Sequence, residues 1–150
     1  MSGIFLIVWD GEHEDKTKVL KTTKGGYPHI TLAYTGKHVP FHQLIKTSTD
    51  VFNALALQMF TLTRAYVNSF TDAKGNMRHD VLLQVEEKDM IENARTQWLR
   101  NVYANSESFS MHNPHVTYGI YETQDEAQAV CGALVNYLPQ KVQITGVTID

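Results

Sequence analysis

One five-residue pattern occurs twice in this chain, as Pro28-His29-Ile30-Thr31-Leu32 and as Pro114-His115-Val116-Thr117-Tyr118. Each copy reads proline, histidine, β-branched aliphatic residue, threonine, hydrophobic residue. Such alternation is typical of a β-strand, and a proline is tolerated at its first position. Because residues i and i+2 of a strand point to the same side, each His shares a face with its Thr. Ile30 and Val116 then point to the opposite face, toward a core.

Composition alone does not explain the repeat. The chain contains seven His and four Pro, His-x-Thr occurs nowhere else, and two of the four prolines directly precede these two histidines. A single copy is best interpreted as an ordinary strand histidine with local hydrogen bonds, and this remains the alternative for both copies. Two matching copies favour a symmetric, duplicated active centre.

The overall composition predicts one soluble globular domain over residues 1–150. A formal net charge of −3 argues against a large basic surface for long RNA or DNA. The single cysteine, Cys131, cannot form an internal disulfide, so we expect a reducing, cytoplasmic location, which is the host cytosol if the protein is viral. The apolar run over residues 4–9 is too short to span a membrane.

Hydrophobic periodicity predicts the element order strand, strand, helix, strand, strand, helix, strand, helix, strand. The strands are expected at 3–9, 29–35, 59–68, 81–85, 115–121 and 141–149, and the helices at 40–57, 88–103 and 124–138. Residues 72–76 include a glycine and have the composition of a turn, and Thr123 is a suitable N-cap for the last helix. Each His-x-Thr strand is followed by a helix, which predicts an α+β fold with outer helices and two sheet halves. If the halves are related by a pseudo-twofold axis, the motif strands face each other across a central cleft.

Two imidazoles in one cleft are suited to acid–base catalysis, because an unperturbed imidazole has a pKa of about 6.5. One ring can deprotonate an attacking hydroxyl or water while the other protonates the leaving oxygen of a phosphodiester. A Thr hydroxyl beside each His can donate to the non-bridging phosphate oxygens. We therefore predict His29 and His115 as catalytic residues and Thr31 and Thr117 as phosphate-binding residues. A ribose hydroxyl can serve as the nucleophile, so no metal or other cofactor is required.

With these two motifs, the sequence resembles the 2H phosphoesterases of the LigT-like kind, a family defined by two His-x-Thr/Ser-x motifs. The resemblance implies a bilobal fold, a metal-independent mechanism and substrates with 2′-linked or cyclic phosphodiesters. Such substrates include 2′,3′-cyclic phosphates, 2′,5′-oligoadenylates, cyclic dinucleotides and ADP-ribose cyclic phosphate. Some viral and phage members of the family degrade nucleotide signals of host defence.

The net charge of −3 and the short chain favour a small nucleotide as substrate over tRNA or long RNA. A cyclic dinucleotide, a cyclic oligonucleotide or a 2′,5′-oligoadenylate fits this expectation, with the protein acting as a monomer and without a membrane. Four alternatives stay open: an RNA- or tRNA-processing 2′,3′-cyclic phosphodiesterase, a nucleotide-binding module without catalysis, a structural or interaction protein, which leaves the duplication unexplained, and a metal enzyme. The sequence lacks the His-x-His and Cys-pair spacings of metal sites, which argues against a metal enzyme.

Further candidate residues are aromatic side chains that could stack on a base and lysines in a Gly-containing segment before the first motif. Base stacking or a lid is predicted for Trp9, Tyr27, Phe109 and Tyr121, and phosphate contact for Lys21 and Lys24. If the strand alternates strictly, Tyr121 lies on the same face as His115, whereas Tyr118 lies on the face that points to the core. The alternative for the aromatic residues is core packing, and for the lysines a solvated connector. Cys131 lies on an apolar helical stripe, which does not suit a nucleophile.

Overall fold

A computed structural model describes residues 2–9, 29–35, 41–56, 58–102 and 113–149 of the chain. Within these residues, six strands and three helices follow one another in the predicted order. They are β1 (Ser2–Trp9), β2 (His29–Thr35), α1 (Phe41–Leu55), β3 (Met59–Thr71), β4 (Met77–Val85), α2 (Lys88–Val102), β5 (His115–Tyr121), α3 (Gln124–Leu134) with a 3₁₀ turn (Val135–Tyr137), and β6 (Gln140–Ile149). None of the three helices combines the length and apolar character that crossing a bilayer requires.

The strands form one closed antiparallel ring in the order β1-β2-β5-β4-β3-β6. Exchanging β1 with β4, β2 with β5 and β3 with β6 leaves this order unchanged. All the strands nevertheless belong to one ring, so the two predicted halves are not separate sheets. The motif strands β2 and β5 are paired neighbours. The expectation that they face each other from opposite walls of a cleft is therefore corrected: they lie side by side.

The core lies between the ring and the three helices. α1 packs on β6, α2 on β2, and α3 on β3, β4 and β5. The fully buried core side chains include Ile30, Leu32, Phe60, Leu62, Val81, Leu83, Val85, Ile91, Trp98, Val116, Ala127 and Val142. A helix is about 10–12 Å wide, whereas even an eight-stranded barrel has room only for side chains. The helices therefore cover the outer face of the ring, and alternate strand residues point to its inner face.

The run Thr47–Thr49, which is unfavourable in a helix interior, does not interrupt α1. Two of its three hydroxyl groups have partners within the fold. The Thr49 hydroxyl donates to the carbonyl of Ile45 at 2.8 Å, and buried Ser48 accepts from the indole N–H of Trp98 at 3.1 Å. Tertiary packing of α1 against α2 thus overrides the local preference.

Two predicted local signals are confirmed in the structure. The turn between β3 and β4 contains Gly75 at φ +84°, where glycine is the favoured residue, and the carboxylate of Asp72 accepts from the backbone N–H groups of Lys74 and Asn76, both at 2.9 Å. Thr123 caps α3 by accepting from the backbone N–H of Glu126 at 3.2 Å. Both boundaries could be predicted because they depend only on neighbouring residues.

Candidate active site

The pairing of the two motif strands fixes the centre of the site. The Cα atoms of Ile30 and Val116 are partners in the antiparallel pair of β2 with β5, and both side chains are 0% exposed in the core. Because successive residues of a strand point to opposite faces, the residues on either side of this pair point to the inner face of the ring. The pair thus determines which side chains of the two motifs can meet.

Continuing this register by one residue in each direction places His29 opposite Thr117 and Thr31 opposite His115. All four side chains are partly exposed. Neighbouring strands are about 5 Å apart and residues i and i+2 about 7 Å apart, so the Cα atoms of the two histidines occupy diagonal corners of a rectangle, roughly 9 Å from each other. A phosphate group over this rectangle can have one imidazole on each side and a hydroxyl donor beside each imidazole.

A hydrogen bond defines the tautomer of His115. Its Nδ1 lies 2.8 Å from the carbonyl oxygen of Asn113. A carbonyl oxygen only accepts hydrogen bonds, so Nδ1 carries the hydrogen and donates it. In the neutral ring, the lone pair is then on Nε2, which can take a proton from a hydroxyl. In the charged ring, the same Nε2 can protonate a leaving oxygen.

Tyr66 of β3 holds the other end of Asn113. The side-chain N–H of Asn113 donates to the Tyr66 hydroxyl oxygen at 2.7 Å. Tyr66 belongs to the inner face, because its Cα pairs with Leu82 of β4, which in turn pairs with Thr117. Burial raises the pKa of the Tyr66 phenol, although nearby Arg64 and the Asn113 hydrogen bond act in the opposite direction. The phenol is therefore neutral around pH 7 and is not a general base.

Gln84 and Arg64 continue the row of side chains that contains His115. The Cα of Gln84 pairs with that of His115. The Arg64 Nε–H donates to the side-chain oxygen of Gln84 at 2.8 Å, and its guanidinium carbon lies 5.2 Å from the centroid of the Tyr66 ring. Sequence reasoning missed these three residues. The only local signal was the alternation of residues 59–68, and the register of three strands was needed to place them beside the motif.

Tyr121 does not share the inner face with the motif. The pairing of β4 with β5 skips Tyr118, which forms a bulge between Thr117 and Gly119. A bulge adds one residue and so reverses the alternation beyond it. Tyr121 accordingly pairs with His79 and packs, partly buried, against the core. The prediction that Tyr121 lies on the same face as His115 was wrong. The reason for proposing Tyr121 as a base-stacking residue therefore no longer holds.

The remaining candidates stay predictions. Trp9 ends β1, where its Cα pairs with that of Gln143, but its ring lies outside the described part of the chain. The same holds for Tyr27 and Phe109 as stacking or lid residues, and for Lys21 and Lys24 as phosphate contacts.

The described residues also bear on metal binding and on the reactivity of the single cysteine. In this part of the chain, no group of three or more His, Cys, Asp or Glu side chains could hold a metal ion. Burial raises the pKa of the Cys131 thiol, which keeps it neutral and weakly nucleophilic at pH 7. This agrees with the expectation that Cys131 is not a nucleophile.

No family model and no curated protein matches the sequence. Among solved structures, the chain is similar to Usb1 from Kluyveromyces marxianus, with a TM-score of 0.53 and 12% identity over 99% of this chain and 96% of that chain. It is also similar to Usb1 from the same organism with uridine monophosphate, with a TM-score of 0.53, 9% identity and the same coverage. The chain therefore shares the mixed α/β fold of Usb1 over nearly its whole length.

Proposed function

We propose that this protein is a metal-independent phosphodiesterase of the 2H type, in which His29 and His115 act as an acid–base pair on one phosphodiester. The observation that carries the proposal is the antiparallel register of β2 with β5, which places both histidines and both threonines on the inner face of the ring. The shared fold with Usb1 supports it, and the Usb1 structure with uridine monophosphate supports a nucleotide as ligand.

In this mechanism, the neutral imidazole removes a proton from a ribose hydroxyl of the substrate or from water. The resulting oxygen forms a bond to phosphorus, while the other, protonated imidazole donates its proton to the leaving oxygen as that P–O bond breaks. The two rings thus exchange their protonation states in one turnover. Thr31 and Thr117 donate hydrogen bonds to the non-bridging oxygens, where negative charge is concentrated. The tautomer of His115 makes its Nε2 suitable for either role.

The substrate that we propose is a small nucleotide with a 2′-linked or cyclic phosphodiester. The formal net charge of −3 supports this choice, because long RNA is bound through many positive charges. A second candidate is a 2′,3′-cyclic phosphate at an RNA end, which the fold likeness to Usb1 with uridine monophosphate favours. A short oligonucleotide that ends in a cyclic phosphate distinguishes the two.

We expect the purified protein to cleave at least one phosphodiester in a panel at an equal rate with and without EDTA. The panel contains a 2′,5′-oligoadenylate, a cyclic dinucleotide, uridine 2′,3′-cyclic phosphate and an oligouridylate with a 2′,3′-cyclic end, with products resolved by chromatography. Activity that EDTA abolishes and zinc restores would instead indicate a metal enzyme. A compound that binds but stays intact for hours would indicate a nucleotide-binding module.

Replacing Thr31 or Thr117 by Val should lower kcat/KM by about ten- to a hundredfold, because each change removes one hydrogen bond to a charged phosphate. Valine has nearly the same shape, so the strand should be preserved. The matched variants Thr31→Ser and Thr117→Ser keep the hydroxyl and should retain most of the activity. Wild-type kcat/KM in both Val variants would show that these hydroxyls do not touch the phosphate.

A further inference from the structure

Arg64 and Arg78 both lie over aromatic rings, and they differ in how their charge is balanced. The guanidinium carbon of Arg78 is 4.9 Å from the centroid of the Phe70 ring. Its Nε and Nη2 donate to the carboxylate of Asp80 at 2.9 and 3.1 Å. The positive charge of Arg78 is therefore neutralised within the fold.

Arg64 has a similar aromatic contact but a neutral hydrogen-bond partner. It lies over Tyr66 at 5.2 Å from the ring centroid, and its Nε donates to the amide oxygen of Gln84 at 2.8 Å. Within the described ranges, the ion pairs involve other residues, so no carboxylate balances this charge. The side chain is exposed, and an anion can approach it without crossing the core.

The position of Arg64 depends on a bulge in β3. Leu62 pairs with Val85 and Ala65 pairs with Leu83, so two residues of β3 lie opposite Gln84 alone. Both Leu62 and Ala65 contact the core, and strict alternation from Leu62 would have sent Arg64 there as well. The bulge instead turns Arg64 to the inner face.

Arg64 lies close to the rectangle formed by His29, Thr31, His115 and Thr117. Gln84 pairs with His115, so the order across the inner face is Arg64, Gln84 and His115. Strands are separated by about 5 Å, which places the guanidinium roughly 5–10 Å from the imidazole. One nucleotide can span such a separation between two of its phosphate groups.

The contacts of Arg64 also preorganise its guanidinium for binding a phosphate. The contact with the Tyr66 ring and the hydrogen bond from Nε to Gln84 together restrict the position of the guanidinium. Both terminal amino groups are without a partner in the part of the chain that the structure describes. A planar guanidinium held in this way can donate two parallel hydrogen bonds to one phosphate at a small cost in side-chain entropy.

We propose that Arg64 binds a second phosphate of the substrate while the scissile phosphodiester lies between His29 and His115. This inference rests on the proposed function. It makes the preferred substrate a nucleotide or short oligonucleotide with at least two phosphate groups, rather than a nucleoside with only the scissile one. Arg64 is then a determinant of substrate specificity, and Tyr66 and Gln84 are its positioning residues.

The test compares substrates that differ by one phosphate. Uridine 2′,3′-cyclic phosphate and 2′,5′-linked diadenosine monophosphate are each offered with and without a 5′-phosphate. We expect the wild-type protein to prefer the phosphorylated member about tenfold or more in kcat/KM, as hydrogen bonds to a charged group commonly contribute. In Arg64→Gln, the ratio should fall to about one. Arg64→Lys keeps the charge but loses the planar fork, and should give a ratio between the two.

The control variant is Arg100→Gln, which removes the same charge from an exposed side chain on α2. It should keep the wild-type ratio. Equal kcat/KM values for the two members in the wild type, or an undiminished ratio in Arg64→Gln, would overturn the proposal. If the wild type cleaves neither pair, the proposed function fails for these substrates. The ratio of Kd values from titration calorimetry, compared between the wild type and Arg64→Gln, then still decides the role of Arg64.

Discussion

Replacing His29 or His115 by Ala is expected to lower kcat/KM by about 10²–10⁴, since each change removes a general acid or a general base. Both side chains are partly exposed on the inner face and do not belong to the core. The free energy of unfolding should therefore change little. Steady-state rates on the best substrate of the panel, together with urea denaturation of the same preparations, separate the two effects.

The double variant should be scarcely less active than either single variant, because residues that act as a unit have strongly non-additive effects. His42→Ala is the matched control, since His42 is an exposed histidine on α1 and should tolerate the change. Near-normal turnover in both single variants would remove the catalytic assignment. Losses that multiply in the double variant would mean that the two rings act in separate steps.

The element order and the two motif strands were predictable because their signals are local. Alternation marks β2 and β5, helical spacing marks α1, α2 and α3, and Gly75 and Thr123 mark a turn and a cap. Alternation within each strand is sufficient to predict which four side chains of the motifs lie on the face opposite the core. These inferences need no knowledge of which strand pairs with which.

The ring and the surroundings of the motif were not predictable, because they depend on pairing between strands that are distant in sequence. Counting alternate residues predicts the face of a side chain only up to a bulge, and both strands that flank β4 contain a bulge. In β5, the bulge at Tyr118 turns Tyr121 toward the core. In β3, the bulge before Ala65 turns Arg64 away from the core. One irregularity thus turned a predicted site residue toward the core, and the other turned toward the inner face the arginine that we propose as a phosphate-binding residue.

The assignment of faces leads to a second large effect, on stability. Ile30 stands between His29 and Thr31 but is 0% exposed and pairs with Val116. Ile30→Ala should lower the free energy of unfolding by about 2–5 kcal/mol, through lost burial and the cavity left behind. Ile30→Val removes a single methylene and should cost only about 0.5–1.5 kcal/mol. Urea denaturation, monitored by Trp fluorescence, measures both changes.

The comparison with the adjacent histidine makes this experiment a test of the site as well as of the core. His29→Ala should leave the unfolding transition nearly in place while abolishing most of the activity, whereas Ile30→Ala should shift the transition strongly. The opposite pattern, with His29 important for stability and Ile30 dispensable, would mean that the strand presents its other face to the core. The histidines could then not meet over a phosphate on the inner face, and the proposed mechanism would lose its geometric basis.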